Sequence, residues 1–275
     1  MQLRLRIDNL DGPRVREAHV SGIYEDLNWL GLTWDGEVVL QSQAEADYGE
    51  ALDTLVKQDR IYGCDCSHRE TVDASPSLAS DGAAIYSGIC RDRNLALAGN
   101  VWRASVAGMR VELRDHFLGN LCCDAEAELG DIVVRDRQGG TSYQLASVVT
   151  DLQMQSNFIV RGQDLLASSM RQMVLWRWLA PDRPMPEFVH LPLIVGPDGR
   201  KLSKRHGDTR LRTLRESGAS AGRLRAVLAR WSGIEPAGEE MGVDEWACEF
   251  DLSRLPSEAA VYDDRRDRRR LFGGG

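Results

Sequence analysis

Three groups of residues have side chains whose types and spacing could do chemistry. The first is Cys64-x-Cys66 followed by Tyr86-x-x-x-Cys90. Two thiolates one residue apart can face a single ion from a tight loop, and a third from a distant loop closes the site. A tetrahedral structural zinc then needs one more donor. Tyr86, through its phenolate, and His68 are the candidates for that place. Three buried or unpaired thiols account for the same residues without a metal, because C-x-C is less specific than paired C-x-x-C motifs. The second group is HLPLIVGPDGRKLSKRHGD, residues 190–208, where a strand-like run meets Gly196, Pro197 and Gly199 and then Lys201, Lys204 and Arg205. Ammonium groups on a glycine-flanked loop suit triphosphate chemistry, in which charge builds on the departing phosphates; a solvated basic turn is the plain alternative. Neither G-x-x-x-x-G-K-[ST] nor G-x-G-x-x-G occurs, so the P-loop and dinucleotide fingerprints are excluded. The third group sets Arg6-Ile7-Asp8-Asn9-Leu10-Asp11 beside Arg161-Gly162-Gln163-Asp164. Ligands of open α/β sheets bind where strands end, although Asp11 and Asp164 could equally serve as helix caps.

These residues need elements to hold them. Leu3, Leu5 and Ile7 alternate with polar residues, a strand ending at Asp8. Ile23, Tyr24, Leu27 and Leu30 repeat at helical spacing, which predicts a helix over 14–30 capped by Gly31; a second helix is predicted over 44–58. Residues 71–84 are rich in Ser, Ala, Asp and Gly and read as a flexible insertion. Strands follow at 101–106, 109–113 and 131–135, with a turn at Gly139-Gly140. Residues 142–150 fit a helix or a buried strand. Phe158, Ile159 and Val160 run as a strand into Arg161, a helix covers 168–179, residues 188–195 read as one buried strand, and helices occupy 209–216 and 220–231. Adjacent Cys122 and Cys123 read as core or strand residues. Strands alternating with helices predict an α/β fold with a largely parallel sheet and an antiparallel insertion.

Composition narrows the class. The 275 residues are 43% hydrophobic and 28% charged, a globular balance. No run of 18 apolar residues occurs, so no membrane span is expected, and the start MQLRLRIDNL lacks the unbroken apolar core of a signal peptide. A cytoplasmic monomer is the expectation. The net charge of −8 argues against a general nucleic-acid coat protein, while leaving room for a locally basic site. The second basic cluster, RRDRRR near the end, reads as a solvated tail.

The motifs together resemble a known family. KLSKRHGD is similar to the KMSKS-type signature of class I aminoacyl-tRNA synthetases in its glutamyl form, and RIDNLD to that group's R-I-E-D-[IL]-D segment. WLGLTWDG followed by QS, the cysteine set, SYQLASVVTD, VRGQDLLASSMRQ and HLPLIVGPDGRKLSK come in the family's order. The resemblance covers nearly residues 1–235 and is nearest to the short glutamyl-Q tRNA(Asp) synthetase branch. It implies a Rossmann-type catalytic domain in 1–63 and 140–208, a zinc-bearing insertion in 64–139 and a helical stem-contact region with a basic tail in 209–275. It also implies activation of glutamate with ATP and Mg2+, then transfer to the queuosine base of tRNA(Asp). By resemblance Asp8 holds the substrate ammonium, Tyr143 and Arg161 contact the glutamate, Lys204 contacts the ATP phosphates with Lys201 supporting the loop, and Cys64, Cys66, Tyr86 and Cys90 hold Zn2+.

The chain departs from that pattern in places. Asp8 stands where the family usually has Glu, one methylene shorter. Asn9 and Thr150 replace family Asp residues, which removes two negative charges. The Cys66–Tyr86 separation is longer than usual. The family also opens with a strand, an R-[FY]-A-P-[ST] segment and an H-x-G-H-like motif that this sequence does not contain. The expectation is an N-terminally truncated catalytic sheet with unpaired backbone groups and an open apolar slot, poorly soluble and unable to form the adenylate.

Overall fold

Phe158, Ile159 and Val160, three residues suited to a pleated surface, lie in a parallel pair in the computed structural model, which describes residues 2–10, 17–75, 77–202 and 206–273. The chain divides into two units, one of Arg6–Leu10 and Val39–Leu191, the other of Met1–Leu5, Asp11–Val38 and Pro192–Gly275. Among the described residues no helix is long and apolar enough to cross a membrane.

In the first unit, β1 (Arg6–Ile7) pairs in parallel with β2 (Val39–Leu40). Helix α2 (Glu45–Lys57) buries Tyr48, Ala51, Leu52 and Leu55, the apolar stripe its spacing predicts. An antiparallel sheet joins β3 (Ile61–Cys64), β4 (Val101–Ala104) and β7 (Ile132–Arg135) in the order β3-β4-β7. Between β3 and β4 lies α3 (His68–Asp73), closed by a capping box of Ser67 and Glu70. The 71–84 stretch therefore carries the end of a helix and a Leu78–Ala84 bridge, with Ala79 and Ile85 buried. β5 (Arg110–Asp115) and β6 (Gly119–Asp124) form an antiparallel hairpin, followed by the short α4 (Ala125–Glu128). Sequence patterning marks this second arm only through Cys122 and Cys123, which lie on it with Cys123 buried.

Helix α5 (Tyr143–Gln153), N-capped by Ser142, resolves the 142–150 ambiguity in favour of helix. β8 (Phe158–Gly162) leads into α6 (Leu166–Leu179), which is buried along most of its length. β9 (Glu187–Leu191) pairs in parallel with β8 over five residues and with β5 at Asp115–Phe188. The four-stranded order is β6-β5-β9-β8, leaving β8 at an edge with Phe158 and Val160 exposed. The mixed α/β class with parallel pairing matches the expectation. The single strand over 188–195 does not: Pro192, which has no N–H to give a ladder, separates β9 from β10 (Ile194–Val195).

In the second unit β10 pairs in parallel with β11 (Ala260–Val261). The helices are α1 (Glu17–Trp29), α7 (Leu211–Glu216), α8 (Ala221–Trp231), α9 (Val243–Glu249) and α10 (Asp264–Phe272). Gly31 has φ +73°, the left-handed cap its position predicts. The first strand is shorter than its alternation suggests because Leu3 exchanges hydrogen bonds with Asp35 (2.7 and 2.8 Å) outside any sheet. The solvated-tail reading of RRDRRR is corrected. Those residues form α10, where Leu271 enters an apolar cluster with Leu30, Leu214, Leu224 and Val227. Buried Asp267 is paired by Arg266 and accepts from the Asp263 N–H at 2.8 Å.

Candidate active site and metal centre

Two strand ends and two helices bring a charged cluster together. Arg6 comes from β1, Asp8 from just beyond it, Asp151 and Tyr143 from α5 and Arg161 from β8. Arg6 donates from Nε to Asp8 at 2.7 Å, and its Nη1 pairs with Asp151 and reaches the Ser147 carbonyl at 3.3 Å. Arg161 Nη2 lies 3.3 Å from the other Asp151 oxygen. Burial opposes the charge on Arg6, but the attraction of Asp151 and the bond to Asp8 outweigh it and raise its pKa. Asp8, Tyr143 and Arg161, three of the residues singled out by the sequence, are thus gathered around the Arg6–Asp151 pair, with Asp8 and Tyr143 39% and 38% exposed.

A second chain of polar groups holds Arg161 from behind. Its Nη1 donates to Ser169 Oγ at 3.3 Å and to Gln172 Oε1, both on α6. Ser169 Oγ is 2.8 Å from His190 Nε2, and His190 Nδ1 is 2.7 Å from Asp115, whose carboxylate also accepts the backbone N–H groups of His190, Phe117 and Leu118. The ionised Asp115 requires a proton on Nδ1, which leaves Nε2 to accept from the serine hydroxyl. Burial lowers the His190 pKa against the pull of Asp115, so the ring is neutral at pH 7. Three of the five N–H donors of Arg161 are engaged. Among the described residues Nε–H and one Nη2–H are left, a pair of donors suited to a carboxylate.

The departures from the family pattern have structural explanations. Thr150 is fully buried and its hydroxyl donates to the Ala146 carbonyl at 2.7 Å, within its own helix. The neighbouring Asp151 carries the negative charge instead. Asn9 is bonded twice to Ser42, at 2.8 and 2.9 Å. Sequence reasoning does not single out Asp151, Ser169, Gln172, His190 or Asp115 as site residues. A buried His and Asp on strands are the available signal, and core packing explains such residues equally well. Asp164 lies in a 3₁₀ turn, Gln163–Leu165, and the N-cap of α6 is Leu165, so Asp164 does not cap that helix.

The lysine loop belongs to the other unit. Gly199, at φ +71°, donates to Gly196 O at 2.9 Å, and Val195 bridges Lys201. Lys201 is exposed. Lys204, like Arg205 and Asp11, lies outside the described residues.

The cysteine set converges. The Cys64, Cys66 and Cys90 sulfurs lie within 4.8 Å of one another, Cys66 and Cys90 at 3.5 Å. The Tyr86 phenolic oxygen is 3.3 Å from Cys64 Sγ and 3.5 Å from Cys66 Sγ, and the Cys90 N–H donates to it at 3.1 Å. A tetrahedron with Zn–S near 2.3 Å and Zn–O near 2.0 Å has edges of about 3.8 Å between sulfurs and about 3.5 Å between sulfur and oxygen. The donor set therefore fits zinc, with Tyr86 as the fourth donor. His68 is exposed on α3 and is not part of this group. Burial pushes the Cys66 thiol up to about 11 and holds the Tyr86 phenol well above its usual range, so binding a cation here would displace protons. The Arg103 guanidinium lies 3.8 Å from the Tyr86 ring centroid, and Gly130 fits against the Tyr86 backbone with φ +68°.

Residues 2–265 match the family model described as tRNA synthetases class I (E and Q), catalytic domain. The chain is 35% identical to a glutamyl-Q tRNA(Asp) synthetase of Geobacter sulfurreducens, covering 94% of this chain and 84% of that one. It is 37% identical to one of Symbiobacterium thermophilum, covering 92% and 83%. It is 34% identical to a glutamate–tRNA ligase of Oleidesulfovibrio alaskensis, covering 94% of this chain and 56% of that one, so it spans little more than half of that relative. A crystal structure of a glutamate tRNA ligase from Elizabethkingia meningosepticum, in complex with its amino acid, superposes with a TM-score of 0.77 at 24% identity over 98% of this chain and 62% of that one.

Proposed function

The chain belongs to the class I tRNA synthetases of the E and Q type, and from that membership we propose that it activates glutamate with ATP and passes it to queuosine in the anticodon loop of tRNA(Asp). An α-carboxylate oxygen of glutamate attacks the α-phosphorus of ATP, and pyrophosphate leaves. The queuosine base then takes the acyl group and AMP departs. Asp8 holds the substrate ammonium. Tyr143 and Arg161 orient the glutamate, Arg161 by presenting its two remaining donors to a carboxylate. Lys204, supported by Lys201, neutralises charge building on the departing phosphates, beside the Mg2+ that accompanies ATP. Zinc held by Cys64, Cys66, Tyr86 and Cys90 ties their two loops together as a structural ion.

The observation that carries this reading is the charged cluster in which Arg6 and Asp151 link Asp8 to an Arg161 with donors left for a carboxylate. We assign catalysis to 1–63 and 140–208, the zinc-bearing insertion to 64–139 and stem contacts to 209–275, in a cytoplasmic monomer. Relatives named glutamyl-Q tRNA(Asp) synthetase at 30–37% identity support the queuosine acceptor. The test is transfer of labelled glutamate to tRNA(Asp) with and without queuosine, alongside ATP–pyrophosphate exchange. Transfer that requires queuosine supports the reading. Transfer to the terminal ribose makes the chain a glutamyl-tRNA synthetase fragment, and absence of exchange makes it an inactive zinc- and tRNA-binding remnant.

A further inference from the structure

Helix α10 sorts its residues by face. At 3.6 residues per turn, Asp267 and Leu271 point one way, and Arg265, Arg268, Arg269 and Phe272 share the opposite side. The first pair is buried, Leu271 in the apolar cluster and Asp267 against Arg266 and Arg270. Arg265, Arg268 and Arg269 are exposed, and among the described residues none of the three has a carboxylate partner. Arg268 lies over the Phe272 ring, 5.4 Å from its centroid. This contrasts with the other helices of the same unit, where Arg212, Arg215, Arg223 and Arg230 each pair with an acid. In a chain with 42 acidic and 34 basic residues, carboxylates are not scarce. These three cations stand without one on a helix anchored by its other face.

We propose that the Arg265–Arg268–Arg269 face of α10 is a docking surface for the sugar-phosphate backbone of tRNA, a role that rests on the function proposed above. Side chains three and four residues apart on a helix sit about 5–6 Å from one another, so the three guanidinium groups form a compact strip that can engage several phosphates. Phosphate contacts of this kind supply affinity and position without reading sequence. An anionic membrane fits less well: a membrane-surface helix keeps an apolar side for the lipid, and the apolar residue opposite the arginines, Leu271, is buried within the protein. The strip also places attraction for a polyanion locally on a molecule whose net charge of −8 would otherwise repel one.

The experiment uses the full chain, fluorescently labelled tRNA(Asp) and a potassium chloride series. It compares the parent with a triple variant Arg265→Gln, Arg268→Gln, Arg269→Gln and a triple Arg→Lys variant. The Gln variant is expected to bind about tenfold or more weakly. Its slope of log affinity against log salt is expected to fall by about 2–3, near 0.9 for each phosphate no longer neutralised. The Lys variant should restore most of that slope. Melting temperature is expected to be unchanged, because the replaced side chains face solvent. Equal affinity and slope in parent and Gln variant would overturn the surface and leave the enzymatic reading standing. A parent that performs ATP–pyrophosphate exchange but does not bind tRNA overturns the surface together with the acceptor assignment. Loss by the Gln variant of binding to phosphatidylserine vesicles, with tRNA binding intact, identifies a lipid surface instead and likewise overturns the proposal.

Discussion

Asp151 and Arg161 form an ion pair at 3.3 Å, and the second oxygen of the same carboxylate is held by Arg6. One carboxylate thus sets the positions of two guanidinium groups from different strands, and neither cation can move without disturbing the other. Replacing Asp151 by Asn leaves two buried cations short of their counter-charge. The expected cost is about 3–5 kcal/mol, typical of breaking a buried pair by removing one partner. Urea denaturation checks it, and a variant as stable as the parent would show that the pairing is incidental.

His190 gives a prediction in pH. Its folded pKa is lowered from an unfolded value of 6.5, so below that value the unfolded chain takes a proton that the native state resists. Stability should fall as pH drops from 7, by up to about 1.4 kcal/mol per pH unit until the folded pKa is reached. His190→Gln, which keeps a polar group near Ser169 but cannot titrate, should flatten melting temperature between pH 7 and 5. Asp115, whose pKa is also lowered, contributes stability that is lost only at lower pH, as it falls below 3.8. The two slopes are therefore separable.

The metal centre predicts one zinc per chain by elemental analysis, with proton release on binding. Tyr86→Phe removes the phenolic donor but keeps the ring beneath Arg103, and should weaken zinc retention against a chelator. Cys66→Ser should weaken it further. If Tyr86→Phe retains zinc as well as the parent does, the fourth donor is not Tyr86.

Thr150 tests whether the family's aspartate could be restored. The residue is fully buried with its hydroxyl bonded inside α5, so Thr150→Asp puts a charge where no cation is bonded to it. A loss of about 3 kcal/mol or more is expected in thermal unfolding. A neutral outcome would mean that the Arg6–Asp151 cluster can rearrange to accept a third carboxylate.

Strand β8 lies at a sheet edge and exposes Phe158 and Val160. Exposed apolar edges invite association, in keeping with the poor solubility expected from the sequence. Val160→Lys should raise soluble yield and lower light scattering without changing the far-UV spectrum. Scattering equal to the parent's would clear this edge.

Much of this arrangement is legible in the sequence where local chemistry dictates the outcome. The apolar spacing of α2, the glycine cap after α1, and the Cys64, Cys66, Tyr86 and Cys90 set are all where their residue types put them. What escapes depends on distant partners. RRDRRR looks like a tail until Leu271 and Asp267 are seen to be buried by residues far away in the chain. The β6 strand declares itself only through β5. Asp151 is one acidic residue among 42 until two strands bring arginines to it. Residues 188–195 look continuous because hydrophobicity marks burial, whereas ladder continuity depends on the N–H that Pro192 lacks.

Gly130 has a consequence for how this protein can vary. A β-carbon there would lie 2.4 Å from the Tyr86 nitrogen and 2.9 Å from its carbonyl oxygen. Any larger residue would have to push aside the backbone that presents the phenol to the three sulfurs. Positions 130 and 86 are therefore tied in inheritance: a lineage that drifts away from glycine at the first would be expected to surrender the oxygen donor at the second, and with it the fourth corner of the metal cage.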